Sequence, residues 1–351
     1  MEYSRIAVDT SKQVFTLHGV DASGQVVLRR DLTRARFEAF FAKLAPTEVV
    51  LEACGGSHHW GRRLGALGHR VRLIPPQYVK PYVKRGKNDR LDAEAICEAA
   101  GRPGMRFVAV KSAERQAAGM VLRARELLVR QRTQLVNALR GHATEFGLVA
   151  ARGLAKVEPL LAMVAADPAV PELARAMMAL LGRQIARVDE EVRALDAQLL
   201  VLHQADPVSR LLEGIPGVGP ITAISLSLAV DAAQFTSGRH LAAWIGLTPR
   251  QRSSGGKTRL GSISRAGHER LRQLLVVGAT AVIRFAKPGS KSASPWLLGL
   301  LERKPRKLAA VALANKMARI VWAMSRQRRA GAMMTRGEAY RRGPVAQPVA
   351  G

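Results

Sequence analysis

Residues 5–31, RIAVDTSKQVFTLHGVDASGQVVLRRD, decide how the chain begins to fold. Two alternating, β-rich runs come first. Asp21-Ala-Ser-Gly24 then has the composition of a turn, and Gln25 to Leu28 is a third apolar run, so an antiparallel meander of three strands is predicted. Working outward, a helical stretch covers Thr33 to Leu44. Glu48-Val-Val-Leu-Glu52 is a continuous apolar run, as expected of a strand buried on both faces. A helix near His58 to Leu67, a strand Arg70 to Ile74 stopped by Pro75-Pro76, and a helix starting close to Asp89 complete the segment.

The order βββαβαβα predicts an α/β sheet in which the meander leads into parallel strands, the pattern of the ribonuclease-H-like fold. From Ala113 to about Phe146 there is no proline and few glycines, while Val121, Leu128, Leu135 and Leu139 recur near heptad spacing, so a long basic helix is expected. Ile185, Val188, Val192, Leu195, Leu199 and Leu202 alternate steps of three and four, the seam of a coiled coil. An intramolecular helix hairpin and an intermolecular coil both fit so short a seam. After Leu211 the character changes to LLEGIPGVGPITAISLSLAV, opening a further helical domain that extends to about Met324. The predicted fold class is α/β plus all-α: a mixed-sheet domain over 1–111, a helical or coiled-coil spacer over 112–205, a small helical domain over 206–326, and a disordered basic tail over 327–351.

Composition bounds the partners. Lys and Arg number 55 against 27 Asp and Glu, a formal net charge of +28, which strains a compact monomer unless a polyanion neutralises it. Nucleic acid is the polyanion that fits. No apolar run reaches the ~18 residues of a spanning helix, and MEYSRIAVDTSK lacks the apolar core of a signal peptide, so a membrane is excluded and a cytoplasmic, nucleoid-associated location is expected. Cys54 and Cys97 form no Cys-x-x-Cys pair, which speaks against a disulfide framework or zinc knuckle, and both are expected to be buried.

Asp9 ends the apolar run Ile6-Ala-Val, and Glu52 ends the buried strand. Carboxylates at matching ends of adjacent strands can meet at the sheet edge. Asp89 and Asp92, spaced i and i+3, share one face of a helix's first turn. Four such groups repel one another, and a divalent metal removes that repulsion. Each also has a plain structural reading. Strand-end aspartates are common in turns, and Asp89 could be an N-cap with Asp92 its companion on the helix dipole. Glu52 resists that reading, because a carboxylate closing the most apolar strand is costly unless paired.

In the second half, Gly214-Ile-Pro-Gly-Val-Gly-Pro220 resembles a helix-hairpin-helix, in which Gly217 and Gly219 would let the backbone approach a phosphate. A glycine-rich turn between core helices is the alternative. Downstream, Arg250, Arg252, Lys257, Arg259, Arg265, Arg270 and Arg272 crowd a segment rich in glycine and serine, the composition of a phosphate-backbone site. Ser253 or Ser254 could act there as a nucleophile helped by cationic neighbours, although Ser-Ser-Gly-Gly is equally the composition of a flexible loop. His58, His59, His240 and His268 lack ligand spacing and read as surface residues; Trp60, Trp244, Trp296 and Trp322 read as core.

Asp9 within VDTSK, Glu52 within LEACGG, and Asp89 and Asp92 within KNDRLDAEAI resemble the DEDD motif of bacterial transposases of the insertion sequence 110 family, with the C-terminal part similar to the 1111 subgroup. The resemblance covers nearly the whole chain. It implies that the first domain is like the RuvC-type junction resolvases. It also implies that Asp9, Glu52, Asp89 and Asp92 hold Mg2+ (one ion or two, with Mn2+ as substitute) to cut or join DNA strands. For the Ser253-Ser254 block it implies an essential serine, with Ser253 preferred, that joins the strand covalently. It further implies a dimer or tetramer that recombines element ends and target DNA under a noncoding guide RNA, a bridge RNA from the element itself. Because the carboxylates and the serines lie far apart in sequence, a composite site built between subunits is expected, with the seam at 185–202 helping to assemble it. A junction-specific endonuclease using the carboxylates alone, and a non-catalytic nucleic-acid-binding scaffold, are the rival readings.

Overall fold

The computed structural model describes residues 3–84, 88–290 and 294–329. The chain divides into two compact units, Met1–Ala117 and Ala118–Gly351. The predicted disordered tail falls, from residue 330 onward, outside the described residues.

In the first unit, β1 (Arg5–Thr10), β2 (Val14–Val20) and β3 (Val26–Thr33) form the expected meander. The third strand runs five residues beyond the apolar run that marked it, because Arg29, Arg30 and Asp31 sit on it as polar positions. The chain continues through α1 (Arg34–Phe41), β4 (Glu48–Glu52), α2 (Ser57–Ala66), β5 (Arg70–Ile74), the short α3 (Pro76–Val79) and α4 (Asp89–Ala100). The sheet order is β3-β2-β1-β4-β5, with β1, β4 and β5 parallel, a mixed sheet of ribonuclease-H-like type. Alternation along the strands sorts the two faces. Ile6, Val8, Phe15, Leu17, Val49 and Leu51 pack with Phe37, Phe41, Trp60 and Leu64 on one side, whereas Ala7, Val50 and Ile74 pack with Ile96 and Ala99 of α4 on the other. At the strands' starting ends, Glu48 accepts from Arg5 Nε (2.8 Å) and Arg72 Nη1 (2.8 Å), clipping the three parallel strands together at the end opposite Asp9 and Glu52.

The second unit opens with α5 (Ala113–Glu145, whose first turns lie in the first unit), α6 (Val157–Ala166) and α7 (Glu172–Ala205). Arg125 pairs with Asp196 and Arg132 with Asp189. The partners step by seven residues forward on one helix and seven back on the other, so α5 and α7 run antiparallel within the chain. Ile185, Val192 and Leu199 are the buried positions of the α7 seam. Next come α8 (Pro207–Glu213), α9 (Pro220–Ala229), α10 (Gly238–Ile245), β6 (Pro249–Gln251), β7 (Leu260–Ile263), α11 (Glu269–Arg284), α12 (Pro295–Arg303) and α13 (Arg306–Arg329); the apolar faces of these helices share one core. The strands β6 and β7 depart from the expected all-helical domain. They form a two-stranded antiparallel hairpin of exposed residues, so no apolar alternation marks it in the sequence.

Candidate active site

The β1/β4 register pairs Val8 with Leu51, which sets Asp9 and Glu52 side by side at the C-terminal ends of two parallel strands. Ala7 and Val50, two residues earlier, lie in the core beneath α4, so alternation brings both carboxylates out on the α4 face. Asn88, not Asp89, is the N-cap of α4: its side chain accepts from Arg90 N at 3.0 Å. Asp89 is therefore the first helical residue and Asp92 follows one turn on. Carboxylate oxygens of Asp9, Asp89 and Asp92 lie within 4.8 Å of one another. Glu52 stands beside this trio rather than within it, near enough for its charge to act on Asp9. Burial first, then the charges of Asp92, Asp89 and Glu52, push the Asp9 carboxyl from an ordinary 3.8 up to about 6. Burial, followed by Asp92, also raises Glu52. Converging carboxylate oxygens, with the Asp9 carboxyl raised by burial and by its neighbours' charges, are the donor set that suits a hard divalent cation.

A polar link borders this cluster that sequence reading passed over. Asp31 of β3 accepts from Thr16 Oγ1 (2.9 Å), opposite Asp9 in register, and from Arg90 Nη2 (3.3 Å) in the first turn of α4. Pairing β2 with β3 in the meander register, Thr16 against Asp31, is the signal that could have found it.

The two serines lie at the tip of the β6–β7 hairpin, beyond the Arg252 N to Arg259 O bond of 2.8 Å. Ser253 Oγ accepts from Arg259 N at 3.1 Å. Ser254 and Lys257 face each other across a turn in which Gly255 and Gly256 both take positive φ. Arg250, Arg252, Lys257 and Arg259 are exposed along the same hairpin, as is Arg265 at its foot.

Two family models match this chain. One, of the DEDD transposases of IS110, covers residues 6–147 and so takes in all four carboxylates. The other, described as the transposase IS116/IS110/IS902 family, covers 209–294 and takes in both serines. A putative transposase of Sinorhizobium fredii is 55% identical over 96% of this chain and 85% of its own length. A probable family 20 transposase of Pseudomonas aeruginosa is 48% identical, over 92% of this chain and 97% of its own. The transposase for insertion sequence element IS1111A of Coxiella burnetii is 42% identical, over 96% and 91%. The chain belongs to the IS110 family of transposases.

As a transposase with a DEDD domain it acts on DNA, and the acidic cluster is in keeping with use of a divalent metal. Among the described residues no helix is long and apolar enough to cross a membrane. Several residues stand otherwise than their types imply. Gly217, φ +87°, needs its missing side chain for helix packing: a Cβ there would meet Gly278 O of α11 at 2.7 Å, whereas Gly219 faces open space. Arg272, grouped by sequence with the cationic residues, is buried and hydrogen-bonded to backbone carbonyls. Cys97 is buried as expected, but Cys54 is exposed, its Sγ 3.2 Å from Thr10 Oγ1, because it lies just past the strand end that carries Glu52. Trp60 is core, and Trp296 is 41% exposed beneath Lys316 Nζ, 4.4 Å from its ring.

Proposed function

We propose that this transposase cleaves and exchanges DNA strands with two sets of its own residues: Asp9, Glu52, Asp89 and Asp92 in the first unit, and a serine of the β6–β7 hairpin in the second. The observation that carries the reading is the convergence of Asp9, Asp89 and Asp92, brought together from a strand end and a helix start 80 residues apart in sequence. Bound there, Mg2+ (one ion or two, with Mn2+ able to substitute) supplies the charge neutralisation that displacement at a phosphodiester requires. Asp9, Asp89 and Asp92 hold the site, and Glu52, beside them, orients groups around it.

Ser253 is the preferred nucleophile, with Ser254 as the alternative. The Arg259 N–H donated to Ser253 Oγ fixes the hydroxyl's direction and favours the negative charge that grows on oxygen during attack. In this step the Oγ–phosphorus bond forms, the phosphorus–deoxyribose oxygen bond breaks, the serine proton leaves, and the departing oxygen takes up a proton. Arg250, Arg252, Lys257, Arg259 and Arg265 neutralise the phosphate backbone, and Gly219, open to solvent at the start of α9, offers a further backbone contact. The substrates are element ends and target DNA. A structured RNA from the element as guide, a dimer or tetramer as the working assembly, and the nucleoid as location are parts of the same proposal, supported by family membership and by a net charge of +28.

A mobile-element assay with native flanking DNA tests it. Asp9→Ala is expected to abolish all strand cleavage, and Ser253→Ala with Ser254→Ala to abolish joining and any covalent protein–DNA adduct, which mass spectrometry locates on the wild type. Joining at wild-type rates by the double serine variant would leave a junction nuclease that works through the carboxylates alone. Intact DNA products from Asp9→Ala would leave the acidic cluster a structural feature, and intact products from the double serine variant as well would leave only a binding scaffold.

A further inference from the structure

The foot of the serine hairpin is built unlike the rest of the second unit. The chain leaves α10 at Ile245, passes through Gly246 in the left-handed region (φ +81°), and enters β6; it returns from β7 through Arg265 and Gly267, also left-handed at +55° and +71°. Arg265 is the one non-glycine residue with positive φ among the described residues, a conformation that L side chains rarely adopt and that persists only where the surroundings enforce it. The two limbs touch closely. A Cβ on Gly246 would lie 2.3 Å from Ala266 O, and one on Gly267 would lie 1.7 Å from Trp244 O. Ser264 N donates to Thr248 O (2.8 Å) and Arg265 N to Gly246 O (3.3 Å).

Arg272, in the first turns of α11, reaches both limbs. Its Nη1 donates to Ile245 O (2.9 Å) on the entering limb and to Ala266 O (3.0 Å) on the returning one. The side chain is only 9% exposed, and among the described residues no carboxylate lies within ion-pair distance of it. Burying a guanidinium against carbonyl dipoles alone is an expensive way to join two core elements. The two hydrogens of Nη1 are nonetheless fixed in the plane of a permanently charged guanidinium, which suits it to hold two carbonyls in a fixed relation, as the freely rotating ammonium of lysine does less well. From α13, Asn315 Nδ2 adds a bond to Leu247 O (3.3 Å) on the entering limb.

We propose that Arg272 is a positioning residue for the serine hairpin: its buried guanidinium ties the limb entering the hairpin to the limb leaving it and so fixes where Ser253 stands on the second unit. The inference rests on the serine reading above. Beyond Ser264 the hairpin is held by its own backbone bonds and is exposed, so its direction is set at this foot. A loosened foot would leave the hydroxyl intact and misaimed. Misplacement of a reacting group by about 1 Å costs on the order of 10²-fold in rate.

The test uses the purified full chain with duplex DNA carrying the element's ends and with the transcript of the element's flanks. Occupancy of the DNA and the rate of covalent adduct formation from the saturated complex are measured separately, alongside thermal unfolding. Arg272→Lys and Arg272→Met are expected to bind DNA within about twofold of wild type and to form adduct about 10²-fold more slowly, with lysine the milder of the two. Asn315→Ala, which leaves the guanidinium in place, is expected to slow the adduct about threefold at unchanged occupancy. Adduct formation at the wild-type rate by either Arg272 variant overturns the inference. If both Arg272 variants fail to fold, Arg272 is a structural residue of the second unit rather than a positioning one, and the inference is overturned. Wild-type adduct from Ser253→Ala with Ser254→Ala in the same assay is a different failure, that of the serine reading.

Discussion

Replacing Asp9 by Asn should stabilise the first unit when no divalent cation is bound, even though it removes a residue proposed for catalysis. Burial and the charges of Asp92, Asp89 and Glu52 raise the Asp9 carboxyl from 3.8 to about 6. A rise of that size corresponds to about 3 kcal/mol at neutral pH, and solvent screening at a half-exposed site reduces this to about 1–2 kcal/mol. The sign follows from linkage. Because the folded-state value is raised, the folded protein binds the proton more tightly than the unfolded chain, so the penalty is absent below about pH 4, grows between pH 4 and 6, and is complete above 6. In chelator at pH 7.5, Asp9→Asn should therefore unfold roughly 5 °C above wild type in the transition of the first unit, and the gap should close at pH 4. With millimolar Mg2+ the order should reverse, because wild type gains binding free energy that the variant has lost. Differential scanning calorimetry over this pH range makes the comparison. An Asp9→Asn transition at or below that of wild type in chelator at pH 7.5 would show that burial and the neighbouring carboxylates together do not penalise the Asp9 charge as its placement implies.

Three further outcomes are expected. Gly278→Ala should cost the second unit about 3 kcal/mol in urea unfolding, because its Cβ would lie 2.0 Å from Gly217 O; a change below about 1 kcal/mol would show that the α8–α9 turn does not rest on α11. Glu48→Gln should lower the stability of the first unit by about 2 kcal/mol at pH 7. Burial raises the Glu48 carboxyl, but the bonds from Arg72 and Arg5 outweigh it and hold the group below 4.5, so its contribution is present above that value and the difference between variant and wild type should shrink as pH falls through the acid range. Arg252, Lys257 and Arg259 changed together to Ala should flatten the salt dependence of DNA binding by up to about 0.9 for each phosphate left unneutralised, measured by titration at several salt concentrations; an unchanged slope would remove the hairpin from the interface.

The parts of this protein that can be read from its sequence are those where burial imposes a period. The meander, the doubly buried Glu48–Glu52 strand, the stop at Pro75 and the start of α4 each leave an apolar pattern or a cap, and with them comes the end-to-end placement of Asp9, Glu52, Asp89 and Asp92. The β6–β7 hairpin has no buried face, so its residues carry only loop composition, and nothing in Pro249–Ile263 separates a rigid hairpin from a flexible link. Residue type misleads where one side chain has two uses. Gly217 suits a phosphate contact as well as it suits contact with Gly278, and Arg272 among six other cations gives no sign that it alone is buried. Each depends on what lies across the fold: α11 for Gly217, the two limbs of the hairpin for Arg272. These long-range placements set the direction of the exposed Ser253, so the residues that aim the proposed nucleophile are less legible in the sequence than the nucleophile itself.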